Sequence, residues 1–409
     1  MSGSVRVYHD PLHGAIPLDR EIPAEAMAIA IIDTPAFQRL RRIRQLGPAH
    51  LTFHGAESSR FTHSLGVLHL ARRALQHLER SHPHLAEHRV VLYAAALLHD
   101  IGHGPFSHSG EEMFGISHEA WSARLIREDT DLRGALEAAQ NGSAEAVATL
   151  LEGGDYAEPA IKALVSSQLD CDRLDYLLRD SHSTGARYGQ LDLDRLLAAL
   201  LLAPDGSLAI HPRGLLAVEH YLVVRQLMYR SVYNHRLNVV CNWLLKRTID
   251  VARQLGPAQV WADEAMASWL WDRDNLSLKG FLANDDVRTT YHLSRWRDEA
   301  PPELRDPCSR LLDRQLLKAL DVRHLSTPEQ LQLLAQAQRQ AHEAGIDPEG
   351  SCALLQGQTR GYDPYRSGLR LWDGQHLAAL EEHSKLVHTL TLQEHWAWLV
   401  VPKPLVQTP

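Results

Sequence analysis

The sequence predicts a mainly α-helical protein, with a helical domain over residues 1–255 and a smaller α+β region over residues 256–409. Through the first part, apolar residues recur at the three- and four-residue spacing of amphipathic helices, and Thr, Pro and Gly stand where helices begin and end. Past residue 255, short β-like runs at 368–372 and 397–401 alternate with further helices. With 44% hydrophobic and 22% charged residues, the chain can bury a core, which excludes extended disorder.

The predicted elements follow in chain order from local signals. The first helix begins at Thr34-Pro35, where Thr caps the helix and Pro occupies its first turn, and it ends at Gly47-Pro48. Further helices are predicted at 63–78, 90–100, 161–180 and 215–253, with a surface helix and turn over 134–154. The segment 90–100 is apolar nearly all round, as expected of a helix at the centre of a core.

Composition and charge exclude several classes of protein. The net charge is −8, from 42 Lys and Arg against 50 Asp and Glu, which argues against general coating of nucleic acid but leaves a local nucleic-acid contact open. The longest apolar run, 90–98, is far shorter than the roughly 20 residues that cross a membrane, so no membrane association is predicted. Residues 1–14 show no secretory signal, and the four Cys lack CxxC spacing. These features predict a cytoplasmic protein.

The sequence contains 25 His residues, and several of them form one group of candidate metal ligands with nearby Asp residues. His99-Asp100 follows the apolar helix directly, and a buried Asp requires a partner or a metal. His63 precedes the pair near the start of its own helix, and Asp172 follows it in an acidic segment. Two His and two carboxylates suit Mg, Mn or Fe, and also Zn, Co or Ni. For the pair alone, a helix-capping Asp beside a hydrogen-bonded His is the competing interpretation. The additional His103, His108 and His118 favour a metal site.

These residues carry a family resemblance. The order His63, His99-Asp100, Asp172 resembles the H…HD…D signature of HD-domain metal-dependent phosphohydrolases. Four longer strings are similar to those of the deoxynucleoside triphosphate triphosphohydrolases: DTPAFQRLR at 33–41, RFTHSLG at 60–66, HDIGHGPFSH at 99–108 and DRLDY at 172–176. The resemblance extends from about Tyr8 to Asn242. It implies an HD-domain helical core in which the four signature residues bind a divalent metal, and hydrolysis of dNTPs to a deoxynucleoside and triphosphate.

The resemblance also implies roles for the remaining histidines. His103, His108 and His118 match active-site histidines of the family, one of which would protonate the departing 5′-oxygen. Histidine suits this step because its ordinary pKa lies near neutrality. The family commonly has Asp, orienting a catalytic His, at the position of Glu111.

Substrate-binding residues are implied in the same way. Arg60, Arg173 and Arg225 match positions that contact the triphosphate or the base, and the planar guanidinium fits phosphate oxygens. The sugar would meet Gln45, Leu46 and Asp180 on its 3′ side, with Tyr233 crowding the 2′ position. Independently of the resemblance, two sets of residues at i, i+4 and i+8 each form a stripe along one helix face and combine tyrosine with charged side chains. The first stripe is Asp172, Tyr176 and Asp180, and the second is Arg225, Tyr229 and Tyr233. Each stripe alone is also typical of a solvated or half-buried helix side.

A second set of residues matches a regulatory site of activated family members. Asp33, Gln38 and Arg41 correspond to residues that read a guanine base, and Arg6 stands at a phosphate-binding position. The resemblance implies activation by GTP or dGTP and a homo-oligomer, either a dimer or a tetramer, because that site lies between subunits. Two simpler interpretations compete with it: Asp33 belongs to a helix start, and Arg39, Arg41, Arg42 and Arg44 form a solvated basic face.

Other functions remain open at this stage. One is an HD phosphohydrolase or phosphodiesterase that acts on another nucleotide or on nucleic acid, and another is a non-catalytic nucleotide sensor. A metalloprotease is disfavoured because no HExxH is present, and a P-loop protein is disfavoured because no GxxxxGK[ST] occurs.

Overall fold

The computed structural model describes residues 4–364 and 368–405, and these are mainly helical, which confirms the predicted fold class. The helices up to residue 255 are α1 (Pro23–Ile32), α2 (Pro35–Gln38), α3 (Arg60–Glu79), α4 (Arg89–Leu98), α5 (His108–Phe114), α6 (His118–Glu128), α7 (Thr130–Ala139), α8 (Ser143–Leu151), α9 (Pro159–Val165), α10 (Cys171–Thr184), α11 (Leu193–Ala198), α12 (Leu215–Met228) and α13 (Arg236–Leu255). The later helices are α14 (Glu264–Trp271), α15 (Leu278–Leu282), α16 (Asp286–Glu299), α17 (Pro302–Leu312), α18 (Thr327–Glu343), α19 (Pro348–Ser351), α20 (Leu380–His383) and α21 (Lys385–Leu390).

The strands form three small sheets. Their bounds are β1 (Val5–Asp10), β2 (Gly14–Asp19), β3 (Leu200–Leu202), β4 (Leu208–Ile210), β5 (Lys318–Asp321), β6 (Ala353–Arg360), β7 (Arg370–Trp372), β8 (Leu377–Ala379) and β9 (Gln393–Val401). Strands β1 and β2 form an antiparallel hairpin, and the other sheets have the orders β3-β4-β7-β8 and β5-β9-β6. The β-like runs at 368–372 and 397–401 coincide with β7 and with the end of β9, as predicted.

Two predicted helices are interrupted in the structure. One ends where the backbone pairs as a short β-bridge, and the other is divided where a carboxylate accepts backbone hydrogen bonds. The helix after Thr34 ends at Gln38, because Ile43 is extended and Arg44 pairs with Ser59 in an isolated β-bridge. The segment 161–180 divides into α9 and α10. Between them, the Asp170 carboxylate accepts hydrogen bonds from the backbone N–H of Ser167 at 2.9 Å and of Arg173 at 2.8 Å, which starts a new helix.

Two further segments also differ from prediction. The helix predicted over 215–253 is interrupted by one π-helical turn, Tyr229–Tyr233, before α13 begins at Arg236. The predicted surface helix at 134–154 consists of α7 and α8. Val147 and Ala148 of α8 are fully buried, because this helix packs against α4 and α6.

The hydrophobic core is organised around α4, whose residues Val91 to Leu98 are buried on every side. Helices α1, α3 and α8 surround α4, and the same core continues to Trp269 and Trp296 in the later helices. A separate small cluster lies between α18 and the β5-β9-β6 sheet. The division of the chain at residue 255 stays a prediction. Across the described residues, no helix combines the length and the apolar character that crossing a membrane requires.

Candidate active site

Three core helices bring the four residues of the HD signature together. His63 lies in the first turn of α3, His99 and Asp100 follow the end of α4, and Asp172 is in the first turn of α10. The Nε2 atom of His63 lies 3.2 Å from His99 Nε2 and 3.0 Å from Asp172 Oδ1. The Asp100 Oδ2 atom is 3.5 Å from His63 Nε2 and 3.4 Å from His99 Nε2. Residues that are far apart in sequence thus direct four donor atoms to one point.

The outer nitrogen of each histidine is held by a protein acceptor. Nδ1 of His99 is 2.9 Å from the carbonyl oxygen of Ala96, and Nδ1 of His63 is 2.8 Å from Asp175 Oδ2. If both Nδ1 atoms carry the proton, each Nε2 presents its lone pair to the centre of the cluster, which is the usual arrangement of metal-binding histidines. Two imidazole nitrogens with two carboxylates are a donor set suited to a divalent cation.

The electrostatics of this cluster also favour a cation. Burial alone would lower the pKa of His63, yet the carboxylates of Asp172 and Asp175 raise that pKa to about 10. Asp100 is buried, which would raise its pKa. The adjacent Arg60 guanidinium and the histidines instead hold the pKa of Asp100 well below its usual range. The site therefore contains ionised carboxylates, and these stabilise a positive charge at the point where the four donor atoms meet.

The three additional histidines form a second cluster beside the first. The rings of His103 and His118 are stacked with their centroids 4.1 Å apart, and His103 Nε2 lies 3.2 Å from Asp100 Oδ1. Glu111 hydrogen-bonds to Nδ1 of His118, accepts from the backbone N–H of His118 at 3.0 Å, and lies 3.2 Å from His108 Nδ1. The longer side chain of Glu111 therefore reaches both histidines. Burial lowers the pKa of His103 well below its usual value, so its ring is neutral.

A strained loop carries His103 and His108 and is fixed from several sides. Phe106 and Ser107 both have φ of 59°, a conformation that non-glycine residues rarely adopt. The Asp286 carboxylate, at the start of α16, accepts from the backbone N–H of Phe106 at 2.7 Å. The Ser107 hydroxyl donates to the carbonyl of Arg44 at 2.5 Å and accepts from Nε of Arg60 at 2.9 Å. These contacts hold the loop in a conformation that would otherwise be unfavourable.

The two Tyr-containing stripes face each other next to these clusters. The Tyr233 hydroxyl donates to Asp180 Oδ2 at 2.9 Å, and its ring lies 5.9 Å from that of Tyr176 and 5.0 Å from that of Tyr229. The other carboxylate oxygen of Asp180 is buried without a hydrogen-bond partner. Burial raises the pKa of Asp180 to about 7. The stripes are therefore not solvated helix sides, because their polar groups converge on one another.

The predicted arginines line the same region, and each is already held by a protein partner. Arg60 donates to Asp100 Oδ2 at 2.5 Å and, more weakly, to the carbonyl of Gln45 at 3.4 Å. Arg173 pairs with Asp170, and the Nε atoms of Arg173 and Arg225 are buried without partners. Gln45 is nearly buried, with its side-chain oxygen unpartnered, and Leu46 is half-buried against the core.

The residues assigned to a regulatory site lie on the surface as two pairs. Arg6 Nη1 is 2.6 Å from Asp33 Oδ2, and Arg41 Nε donates to Gln38 Oε1 at 2.8 Å. The Arg41 guanidinium also covers the ring of Phe61 at 3.5 Å. The interpretation of Arg39 as part of a solvated basic face is wrong. This side chain is 1% exposed and donates to the carbonyl of Asn284 at 2.9 Å.

Three residues that support the site were not singled out from the sequence. Gln168 accepts from Arg225 Nη1 at 2.8 Å, and its own carbonyl accepts from Tyr221 at 2.7 Å. Asp175 orients His63, and Asp286 fixes the loop before His108. The density of Asp residues between 170 and 180 was a usable signal for Asp175. No local pattern identifies Gln168 or Asp286.

Two family models match this chain. Residues 60–180 match the family model described as HD domain, and residues 191–401, more than half of the chain, match the model described as HD associated region. The first match contains the four signature residues and the second histidine cluster.

Relatives are similar to this chain over different lengths. The protein YwfO of Bacillus subtilis is 34% identical over 365 residues, covering 89% of this chain and 82% of YwfO. The deoxynucleoside triphosphate triphosphohydrolase SAMHD1 of Gallus gallus is 28% identical over 286 residues, covering 61% of this chain but 45% of SAMHD1. A crystal structure of a phosphohydrolase from Bacteroides thetaiotaomicron superposes with a TM-score of 0.84 at 26% identity, covering 97% of this chain and 99% of that one. The chain belongs to the HD-domain family of phosphohydrolases.

Proposed function

We propose that this protein is a metal-dependent triphosphohydrolase that converts dNTPs to a deoxynucleoside and triphosphate. The observation that carries the proposal is the position of the Asp180–Tyr233 pair, on the helices that also bear Asp172 and Arg225. A tyrosine–carboxylate pair beside a cation site and unpartnered arginine nitrogens would suit the sugar and phosphates of a nucleoside triphosphate. The similarity to SAMHD1 supports the same substrate class.

The HD signature residues would hold the divalent cation. Mg, Mn and Fe suit this donor set, as do Zn, Co and Ni. When bound, such a cation activates water and neutralises phosphate charge. In the proposed reaction, water adds to the α-phosphorus, the bond to the 5′-oxygen breaks, and that oxygen takes a proton. His108 and His118, which contact Glu111, would supply this proton, while His103 stays neutral. Arg60, Arg173 and Arg225 would bind the phosphates.

In this proposal, the Asp180–Tyr233 pair would favour deoxyribose over ribose. Tyr233 is fixed by its hydrogen bond to Asp180 and by contact with the rings of Tyr176 and Tyr229, so it cannot easily move aside for a 2′-hydroxyl. Gln45, Leu46 and Asp180 would contact the 3′ side of the sugar. The unpartnered oxygens of Asp180 and Gln45 are available for that purpose.

We expect the purified protein, supplied with Mn²⁺ or Mg²⁺, to release triphosphate from dNTPs and to act at least about tenfold more slowly on NTPs. Anion-exchange separation of the products from each dNTP and NTP measures both quantities. The Tyr233→Ala variant should narrow the difference between dNTPs and NTPs by opening the 2′ side. Release of monophosphate or diphosphate would contradict the proposal and assign the chain to another class of HD phosphohydrolase.

We further propose that Arg6, Asp33, Gln38 and Arg41 bind an activating guanine nucleotide in a homo-oligomer, either a dimer or a tetramer. The exposed carboxylate of Asp33 can accept from a guanine edge, and Arg6 can exchange its ion pair for a phosphate. The free, buried cysteines are consistent with a reducing compartment, and we propose the cytoplasm.

Addition of GTP or dGTP should raise the rate on a second dNTP, and Asp33→Ala should remove the response without changing the basal rate. The control variant is Asp19→Ala, which removes a carboxylate from the same hairpin as Arg6 outside the proposed site. Equal rates with and without guanine nucleotide in the unaltered protein would refute the regulatory site.

A further inference from the structure

A buried network of charged side chains connects the N-terminal hairpin to His63. The Asp175 carboxylate lies 2.8 Å from His63 Nδ1 through Oδ2 and 2.6 Å from His13 Nε2 through Oδ1. Arg179 donates two more hydrogen bonds to this carboxylate, at 2.7 and 3.0 Å. Each of these side chains is at most 3% exposed, so water does not compete for the contacts.

The network ends in the turn between β1 and β2. Asp10, the last residue of β1, accepts from Arg179 Nη1 through Oδ2 at 2.9 Å. Its Oδ1 accepts from the backbone N–H groups of Leu12 and His13, each at 2.9 Å. One carboxylate therefore both shapes the turn and holds Arg179. The hairpin contributes a negative charge and an imidazole to the network behind the cation site.

Gly66 limits where the Asp175 carboxylate can lie. A Cβ atom at position 66 of α3 would be 1.9 Å from Asp175 Oδ1 and 2.5 Å from Arg179 Nη2. The carboxylate is thus held directly against the α3 backbone, one turn after His63. With α3 on one side and His13 and Arg179 on the other, Asp175 has a single well-defined position from which to contact His63.

We propose that Asp10 and His13 are positioning residues of the metal centre. Through Arg179 and Asp175 they fix the ring orientation and the Nδ1–H tautomer of His63, which leaves Nε2 free to bind the cation. Groups that orient a metal-binding histidine typically change metal affinity by about 10- to 100-fold when they are removed. The inference rests on the proposed metal role of His63 and is independent of the nucleotide that is hydrolysed.

The test measures binding of Mn²⁺ to the metal-free full-length protein, by electron paramagnetic resonance of the free ion. We expect Asp10→Asn and His13→Leu to weaken Mn²⁺ binding by up to about 10-fold, at the lower end of the range for direct partners of a metal-binding histidine, because both act on His63 through Asp175. His13→Gln should retain most of the affinity, because its side-chain amide can still donate to Asp175. The matched control is His9→Gln, an exposed position on the same strand that should bind Mn²⁺ like the unaltered protein.

Several outcomes separate this proposal from a purely structural role of the hairpin. Unchanged Mn²⁺ affinity in Asp10→Asn and His13→Leu, with circular dichroism and unfolding temperature preserved, would overturn it. If His13→Leu does not fold, Asp10→Asn decides, because asparagine keeps the shape of the aspartate side chain. Equal affinity in Asp10→Asn and the unaltered protein would then refute the proposal. If the unaltered protein binds no Mn²⁺, the metal centre itself is refuted and this inference falls with it.

Discussion

The Asp172→Ala variant is expected to lose at least about 10³-fold in kcat/KM for a dNTP, which corresponds to roughly 4 kcal/mol of transition-state stabilisation. Asp172 supplies one of the four donor atoms, and its Oδ1 lies 3.0 Å from His63 Nε2. Without it, the cation would be held by fewer ligands, and a bound cation contributes several kcal/mol to phosphate chemistry. Steady-state kinetics and metal content of the purified variant measure both effects.

The fold should survive this change. Helix α10 is capped by Asp170, not by Asp172, and the Asp172 side chain is 30% exposed. We therefore expect an unchanged circular dichroism spectrum. The matched control is Asp155→Ala, which removes a fully exposed carboxylate outside the site and should leave activity intact. Full activity in Asp172→Ala would contradict the assignment of the metal centre.

The Glu111→Gln variant is expected to lower kcat by about 10²- to 10³-fold, within the range that positioned acid–base groups contribute. Burial alone would raise the pKa of Glu111, but hydrogen bonds with His108 and His118 hold it below its usual value, so the carboxylate stays ionised. A neutral amide cannot stabilise a protonated histidine in the same way. Because Glu111 is not among the proposed metal donors, the metal content and the KM for the dNTP should change little.

Two further variants distinguish a role in proton transfer from a role in folding. Glu111→Asp keeps the charge on a shorter side chain, so it should recover part of the rate that Glu111→Gln loses. Glu112→Gln changes the exposed neighbour on the same helix and should behave like the unaltered protein. If Glu111→Gln keeps its full kcat, the carboxylate is not required for catalysis.

The sequence was sufficient to predict the fold class, and the four residues of the predicted HD signature lie together in the structure. His99 and Asp100 were identifiable because polar residues directly after a buried apolar helix require partners. The resemblance to the H…HD…D signature then assigned His63 and Asp172 to the same site. The two stripes, one on α10 and one on α12 and the π-helical turn after it, were visible because helical periodicity is a local property. The resemblance then assigned chemistry to residues that periodicity alone could place only on a common helix face.

Other features depend on contacts that no local pattern encodes. The helix after Thr34 stops early because Arg44 pairs with Ser59, and the break before α10 depends on the Asp170 cap. Asp286 contacts Phe106 across 180 positions of sequence, and Gln168 meets Arg225 only after the helices pack. These contacts form only when distant segments pack together, so they could be identified only from the structure.

The strained loop at Phe106 and Ser107 determines how long a fragment must be to keep the site intact. All histidines of the two clusters lie before residue 119, and the last residue of the signature is Asp172. However, the loop that joins the clusters is held by a hydrogen bond from the Phe106 backbone to the Asp286 carboxylate, which lies far downstream in the sequence. A protein truncated after residue 255 would keep all of the reactive side chains and lose this fastening. The autonomous catalytic unit is therefore longer than the stretch that contains the signature.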